Sequence, residues 1–391
     1  MKGQTDFDVL VIGGGLVGAA CALALRGSGL ALALVEANEV AICPTDSSWD
    51  SRIYAISPGN VAFLTRLGVW QELDQQRIAP IEEMQIWGND NAALDFSAYE
   101  AGAPALGYIV ESRLMLAGLW EELQEAPEIT LFSSSPGSCL DLQEEGAVLK
   151  LVDGRRLSAA LVIAADGGNS WVRAEAGISV TTSDYRQQGV VANFVVERPH
   201  RNIARQWFVE DGILAWLPLP GNRMSMVWST SNAHAKALLA LSPEALAERV
   251  AMAGGDALGS MQVLTPAAAF PLRRQDAEVM VSPRLALMGD AAHLVHPLAG
   301  QGVNLGFHDA ACMARVLMER GRQTDVGDYG LLRRYERARQ LDIRAMQVMT
   351  GSLQALFSSE LPGIALLRSK GLSFTNRQQW LKRRLIAHAM T

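Results

Sequence analysis

The sequence has little cysteine and no long apolar run. Its 4 cysteines among 391 residues form no CxxC pair, so neither a redox dithiol nor a cysteine-ligated metal site is expected. No stretch approaches the roughly 20 apolar residues of a membrane-spanning helix. Acidic residues at positions 6 and 8, where a strand already begins, do not fit a signal peptide. We therefore expect a cytoplasmic protein with free thiols, in contact with the inner membrane at most peripherally.

Strong positive charge is also missing from most of the chain. The net charge is −7, and no nucleic-acid partner is expected. From residue 328 onward, however, 11 Lys and Arg stand against 4 Asp and Glu, clustered at 333–339 and 382–384. Basic residues with interleaved apolar ones are typical of a solvated helical face. They are equally typical of contact with an anionic membrane or a protein complex. The sequence leaves both interpretations open.

The N-terminal segment predicts a βαβ unit. Residues 7–12 (FDVLVI) are apolar and β-rich, which indicates a buried parallel strand. Residues 13–18 (GGGLVG) match G-x-G-x-x-G, a helix follows, and a second strand ends at an acid. These glycines permit a tight turn beside a pyrophosphate, and the acid accepts hydrogen bonds from a ribose diol. The candidate binding residues are Gly13, Gly15, Leu16, Val17, Gly18 and Glu36.

A second motif, residues 165–170 (ADGGNS), follows an apolar strand predicted over residues 161–164. An Asp-Gly pair at a strand end is usually only a turn. Because it stands directly after a buried strand, the same pair is also suited to contact a cofactor. Asp166 and Gly167 are therefore candidate binding residues.

A third motif begins with residues 289–293 (GDAAH) after the strand predicted over residues 285–288, and it continues through 296–304 into a helix. The carboxylate of Asp290 suits a ribityl hydroxyl, and the start of the helix would stabilise negative charge on a flat ring. The other candidate residues of this loop are Pro297, Gly300, Gly302, Val303 and Asn304. No metal site is expected, because the spacing of the two histidines matches no helical ligand pair.

Together the three motifs resemble those of FAD-dependent aromatic hydroxylases of the para-hydroxybenzoate hydroxylase type. The resemblance implies that Asp290 holds the ribityl chain and that the Asp166 motif serves both FAD and NAD(P)H. It also implies that the Pro297 backbone lies near the flavin C4a, as a positioning residue of the catalytic site. Arg52 in DSRIYAIS and Arg113 in VESRL fall where that family has flavin-contacting residues.

The order of the segments predicts an inserted domain. Segments typical of a nucleotide-binding fold stand at the start, in the middle and near the end of the chain, with β-rich segments between them. We therefore predict an α/β protein with a Rossmann-like FAD-binding domain, an inserted antiparallel-sheet substrate domain and a C-terminal helical region. The predicted ranges are 1–75, 111–180 and 273–330 for the FAD-binding domain, 76–110 and 181–272 for the substrate domain, and 331–391 for the helical region.

A narrower resemblance rests on SRIYAISPGNVAFLTRLGVW, GYIVES, LVIAADGGNSWVR and HPLAGQGVNLGFHDA, which are similar to bacterial ubiquinone-biosynthesis hydroxylases. It implies hydroxylation of a polyprenyl phenol: NAD(P)H, a transient co-substrate, reduces FAD, and dioxygen then gives a C4a-hydroperoxyflavin that attacks the ring. The sequence leaves open a hydroxylase of a small soluble phenol and an FAD-dependent reductase of prenyl double bonds. It also leaves open a non-catalytic flavoprotein within a biosynthetic complex.

A group of apolar residues in the second domain could line a pocket for the prenyl phenol. The alternative is ordinary sheet core. The candidate substrate residues are Trp207, Trp216, Leu217 and Pro218. No general base is identifiable; Tyr185, His200 and His234 are candidates by residue type alone.

Overall fold

The computed structural model describes residues 5–40, 48–88, 93–210, 212–295, 302–321 and 323–358. The strands in this part are β1 Phe7–Ile12, β2 Leu32–Val35, β3 Ile53–Ile56, β4 Ala79–Ile81, β5 Glu83–Trp87, β6 Ala93–Ser97, β7 Gly107–Glu111, β8 Ile129–Phe132, β9 Gly137–Leu142, β10 Ala147–Leu151, β11 Arg156–Ala164, β12 Val180–Val196, β13 Ile203–Val209, β14 Gly212–Leu219, β15 Arg223–Ser231, β16 Met261–Val263, β17 Ala268–Ala277, β18 Val281–Ser282, β19 Leu285–Leu287 and β20 His293–Leu294. The helices are α1 Leu16–Ala24, α2 Pro58–Arg66, α3 Val69–Glu72, α4 Ala98–Ala101, α5 Ser112–Gln124, α6 Trp171–Glu175, α7 Asn232–Leu239, α8 Pro243–Ala253, α9 Gly302–Met318 and α10 Tyr329–Ser358.

The first sheet has eight strands, in the order β18-β19-β11-β1-β2-β8, with β10 paired to β11 and β9 to β10. Its central strand β1 runs parallel to both β2 and β11. Helices α5 and α9 pack against α1 beside it. Because a parallel sheet is covered on both faces, its strands are apolar throughout rather than alternating. The predicted βαβ unit is confirmed, and its first strand has the predicted bounds.

The second sheet has nine strands, in the order β20-β17-β12-β15-β14-β13-β5-β6, with β16 paired to β12. Most neighbours are antiparallel, as the alternating sequence predicts, but β13 pairs with β5 in parallel. These two strands are far apart in the chain and are not joined by a hairpin. Local sequence therefore gave no signal for their relative direction.

A third sheet of three strands, β3-β7-β4, was not predicted from the sequence. Its strands are only three to five residues long. Pro80 lies in β4, an edge strand of this sheet, where a residue without an N–H is tolerated. Short strands with a proline carry little periodic signal, which explains why they were missed.

The predicted mixed α/β fold class is confirmed. The chain leaves the first sheet after β2 and returns to it at β8 and again at β18, so the six-segment division remains our proposal for the domains. The largest differences from it are that β17 extends past the proposed boundary at residue 272 and that β20 joins the second sheet, whereas β7 and β12 each cross a proposed boundary by one residue. None of the helices in the described part of the chain has the length and apolar composition needed to cross a membrane.

The nine-stranded sheet has two distinct faces. The helix face is covered by α7 and α8 and holds a buried cluster that includes Leu214, Met226 and Trp228. Strand alternation directs Leu217 to the other face, which we call the inner face and which packs in part against the three-stranded sheet. By cross-strand register with Leu217, the inner face also includes Asn193, Ser225, Ala215 and Val227.

This alternation separates the four predicted substrate residues. Trp216 is 1% exposed in the helix-face cluster, and Trp207 packs on the same side, with its ring centroid 4.6 Å from that of Trp216. An added Cβ at Gly254 would lie 2.1 Å from the Trp216 ring, so the ring fills the space below the end of α8. Pro218 shares that face, and only Leu217 is on the inner face. Trp216 is thus a core residue, because neighbours in a strand point to opposite sides.

Trp216→Ala is expected to lower the free energy of unfolding by about 3–5 kcal/mol, because it deletes a fully buried ring. Leu217→Ala on the half-buried inner face should cost clearly less. Urea unfolding followed by circular dichroism measures both values. Equal losses for the two variants would contradict the assignment of faces.

Candidate active site

The first glycine turn is fixed by the close approach of two strands. Gly13 has φ +106°, and a Cβ added there would lie 2.5 Å from the carbonyl oxygen of Ala165 at the end of β11. A Cβ on Gly18 would lie 1.9 Å from the carbonyl oxygen of Gly13. Both positions therefore require glycine for packing within the protein, whether or not a ligand is bound.

Gly15 differs from these two glycines. A Cβ added there would meet no protein atom within 4 Å, although its φ of −69° is open to any residue. Gly15 is the N-cap of α1 and supplies no capping side chain, so the first N–H groups of the helix, beginning at Leu16, receive no side-chain cap from it. An uncapped helix N-terminus beside such a space is a site for an anion such as a pyrophosphate.

A cleft of about 670 Å³ extends from this turn. Its lining residues include Gly13, Gly15, Glu36, Asn38, Arg52, Asp166, Gly167 and Asn169. Glu36 ends β2 with its Oε2 accepting from Gly14 N at 2.6 Å and its Oε1 accepting from Asn38 N at 2.8 Å. Two backbone donors thus hold the carboxylate at the wall of the cleft, with lone pairs left to accept from a ligand hydroxyl.

The second motif borders the same cleft. Asp166 Oδ2 accepts from Val172 N at 2.9 Å at the start of α6, whereas its buried Oδ1 has no hydrogen-bond partner among the described residues. Gly167 has φ +84° and open space around it. An unpartnered buried carboxylate oxygen on a ligand-sized cleft indicates a missing donor, such as a ribose or ribityl hydroxyl.

Arg173 joins the second and third motifs. Its buried guanidinium donates to the carbonyl oxygens of Gly168 at 3.0 Å and Ala291 at 2.8 Å. Asp290 stands in the 3₁₀ turn Gly289–Ala291, next to the second of these contacts. Burial raises the pKa of Asp290, and His293 and Arg52 oppose that rise. Arg173 thus ties the third motif to the second, and the second motif lines the cleft with the first.

The start of α9 is tied to the segment that carries Arg52. Asn304 Oδ1 accepts from Ser57 N at 3.1 Å, and its Nδ2 donates to the carbonyl oxygen of Ala55 at 2.8 Å. Gly302 and Val303 precede it in the first turn of α9. These bonds occupy the Asn304 side chain within the protein. Two predicted residues of this loop, Pro297 and Gly300, lie outside the described part of the chain.

The two predicted arginines have different surroundings. Arg52 is exposed, lines the cleft and lies with its guanidinium carbon 5.6 Å from the ring centre of Tyr54. Burial raises the pKa of Tyr54, and nearby Arg52 lowers it in part. Arg113 instead donates to Ser48 Oγ at 2.9 Å and pairs with Glu111 at 3.4 Å. Its guanidinium supports the segment that precedes Arg52.

Sequence reasoning missed the buried carboxylate that holds this segment. Glu111 is 0% exposed and pairs with Arg77 through two hydrogen bonds of 2.7 and 3.0 Å. It also accepts from Asp50 N at 2.6 Å. Asn193 on the inner face donates to the carbonyl oxygen of Asp50 at 2.8 Å, so the inner face is directed toward the Arg52 segment. In the sequence, the only indication of this role was that Glu111 is a charged residue at the end of an apolar segment.

None of the three candidate bases gains support. His200 is buried, with its Nε2 2.8 Å from the carbonyl oxygens of both Leu219 and Gly221. His234 lies in α7 on the helix face, with its ring centroid 4.9 Å from that of Trp228. Burial raises the pKa of Tyr185. The two histidines therefore have structural roles, because His200 contacts backbone carbonyl oxygens and His234 packs against a ring of the core.

Gly15→Ala is expected to leave the stability of the cofactor-free protein unchanged but to weaken FAD binding at least about tenfold, because the methyl group enters the phosphate space. Fluorescence quenching of FAD by the cofactor-free protein measures the affinity, and thermal unfolding measures stability. Gly18→Ala is the matched control and should lower stability itself by about 1–3 kcal/mol through overpacking. Unchanged FAD affinity in Gly15→Ala would contradict the phosphate site.

Comparison with known proteins agrees with this geometry. The family described as "FAD binding domain" matches residues 6–351. The 3-demethoxyubiquinol 3-hydroxylase of Escherichia coli is 38% identical over 390 residues, covering 98% of each chain. The mitochondrial ubiquinone biosynthesis monooxygenase of Homo sapiens is 33% identical, covering 99% of this chain and 93% of that protein.

Among solved structures, p-nitrophenol 4-monooxygenase from Pseudomonas putida has a TM-score of 0.79 over 99% of both chains, at 16% identity. That likeness concerns the fold. The uncapped helix, the open space over Gly15 and the unpartnered Asp166 oxygen all fit a dinucleotide cofactor. The chain therefore belongs to the FAD-binding-domain family, and its cofactor is FAD.

Proposed function

We propose that the protein hydroxylates the aromatic ring of a polyprenyl phenol in ubiquinone biosynthesis, with NAD(P)H and dioxygen as co-substrates. The names of relatives that are similar over nearly the full length of the chain support this assignment. When bound, FAD accepts hydride from NAD(P)H and, with dioxygen, supplies the oxygen atom that enters the ring.

The composition of the inner face is the observation that supports a polyprenyl phenol as the substrate. Across strands β5, β6, β13, β14 and β15 this face carries Met84, Ile86, Leu94, Phe96, Ala204, Gln206, Phe208, Ile213, Ala215, Leu217, Ser225, Val227 and Ser229. None of these side chains is charged, and the one charged residue that register places on this face of the five strands is Arg223, opposite Leu219. Arg223, at one end of β15, donates to the carbonyl oxygen of Pro220 and lies over Trp49. Arg223 is thus already engaged at one end of β15, and the rest of this broad face is uncharged and suits a neutral, lipid-like phenol better than a benzoate, whose carboxylate needs a cationic partner.

The chain's own residues have defined tasks in this proposal. The start of α1 at Gly15 binds the pyrophosphate, Glu36 and Asp166 bind hydroxyl groups, and Asp290 holds the ribityl chain. Arg52 lies at the open edge of the cleft, where its charge favours anionic groups. The inner face excludes water from the reacting ring, which protects the reactive oxygen donor from wasteful decay.

A prenylated phenol is expected to accelerate NAD(P)H oxidation by the FAD-loaded protein far more than 4-hydroxybenzoate does, and the product should contain one atom from ¹⁸O₂. Ala215→Trp, on the inner face, should raise KM for the phenol and leave FAD content unchanged. Trp216→Phe, on the helix face, is the control and should leave KM unchanged. Stronger stimulation by benzoates would indicate a small soluble phenol, and a reduced prenyl chain without ¹⁸O would indicate a reductase.

We also propose that α10 rests on an anionic membrane surface. Arg334, Arg337, Leu341, Arg344 and Val348 follow one another at intervals of three or four residues and are all exposed, so they form one stripe on the helix. Leu341 is 75% and Val348 is 68% exposed. Exposed apolar residues between arginines are typical of helices that lie in the plane of a lipid headgroup layer.

Arg337→Glu is expected to weaken binding to vesicles that contain phosphatidylglycerol by at least about fivefold, since each basic residue near the surface contributes about 1 kcal/mol. Vesicle flotation measures the bound fraction. Arg156→Glu, an exposed change of the same charge at the start of β11, is the control and should bind like the unmodified protein. Equal binding of all three proteins, or binding that ignores the anionic lipid, would contradict the proposal.

A further inference from the structure

Three ionisable side chains from three elements meet in the core next to the turn that carries Asp290. Asp309 on α9 is 0% exposed, His293 on β20 is 3% exposed and Arg339 on α10 is 4% exposed. Asp309 Oδ2 lies 2.7 Å from His293 Nε2, and Asp309 Oδ1 accepts from Arg339 Nε at 2.7 Å. Of these three side chains, Arg339 is the one that α10 contributes.

Asp309 also holds the backbone of the third motif. Its Oδ2 accepts from Gly289 N at 2.9 Å, and Gly289 directly precedes Asp290. On the other side of Asp290, Arg173 holds the carbonyl oxygen of Ala291. The short turn that presents the Asp290 carboxylate is therefore held at both ends by hydrogen bonds to buried charged side chains. Arg173 connects one end of the turn to α6, and Asp309, through Arg339, connects the other end to α10.

The charges explain why this arrangement holds one geometry. Burial alone would raise the pKa of Asp309, but His293 and Arg339 hold it at about 2, so the group stays ionised. Asp309 likewise raises the pKa of His293 against the effect of burial. A buried carboxylate that loses one partner is left with an uncompensated charge, and its remaining contacts must rearrange. Without Arg339, the contacts that remain to Asp309 Oδ2 are His293 Nε2 at 2.7 Å and the Gly289 N–H at 2.9 Å.

We propose that Arg339 and Asp309 are positioning residues of the flavin site, through which the C-terminal helix sets the turn that presents Asp290 to FAD. Neither residue needs to touch the cofactor. The proposal depends on the assigned role of Asp290, and it is independent of the substrate that the enzyme hydroxylates.

The test compares variants of two residues on the same helix, in the full-length protein freed of its cofactor. Arg339→Met removes the donor to Asp309 and keeps the apolar stem, and Arg339→Lys keeps the charge with fewer donors. Tyr335→Phe is the matched control, one turn earlier and 0% exposed, because it removes only the hydroxyl bond to the Leu287 carbonyl oxygen at 3.0 Å. The readouts are the dissociation constant for FAD, the visible spectrum of bound flavin and the melting temperature of the cofactor-free protein.

Arg339→Met is expected to raise the FAD dissociation constant at least about tenfold and to shift the flavin spectrum, with Arg339→Lys between it and the unmodified protein. Tyr335→Phe should lower the melting temperature but leave the dissociation constant within about twofold. Equal weakening in Arg339→Met and Tyr335→Phe would show that α10 acts only by packing and would overturn the proposal. Unchanged FAD affinity in Arg339→Met would also overturn it. If Arg339→Met does not fold, Arg339→Lys against Tyr335→Phe decides by the same criterion.

These outcomes are separable from those of the proposed hydroxylation. FAD affinity is measured without phenol, NAD(P)H or turnover. A protein that fails to hydroxylate prenyl phenols can still show the Arg339 effect, and a protein that hydroxylates them can lack it.

Discussion

The site depends on the distance between the ends of two parallel strands. At Gly13, directly after β1, and Ala165, directly after β11, the backbones are too close for even one methyl group between them. That approach brings the first and second motifs to one cleft. Arg173 then adds the third motif by bonding to carbonyl oxygens on both sides. The other contacts between the three motifs depend on this close approach of β1 and β11.

Much of this could be predicted from the sequence. A buried parallel strand, a glycine turn and a strand-end acid predict their own relative positions, because a βαβ unit has few geometries. Glu36 and Asp166 accordingly line one cleft with Gly15. Asp290 stands in the predicted turn after β19. In each case the chemistry and the local backbone are encoded within a few consecutive residues.

What escaped prediction depends on contacts between distant segments. The aromatic run around Trp216 is apolar whichever way it faces, and only the packing of α7 and α8 decides that Trp216 is core and Leu217 is not. Glu111, Asp309 and Arg339 are ordinary charged residues in sequence, and the partners that stabilise them when buried lie 16 to 34 positions away. Periodicity reports which residues share a side of an element, but not what covers that side.

The order of strands in the first sheet also has a consequence for biosynthesis on the ribosome. β1 is among the first segments to emerge, yet it pairs with β11, and β19 completes that edge only after more than 280 residues. The three motifs can therefore come together only after the Asp290 turn, which follows β19, has been translated. The hydrogen bonds that hold the Asp290 turn through Asp309 are complete only when Arg339 has also been translated. Under our proposal for Arg339, a chain that ends before α10 would also lack the contact that sets this turn.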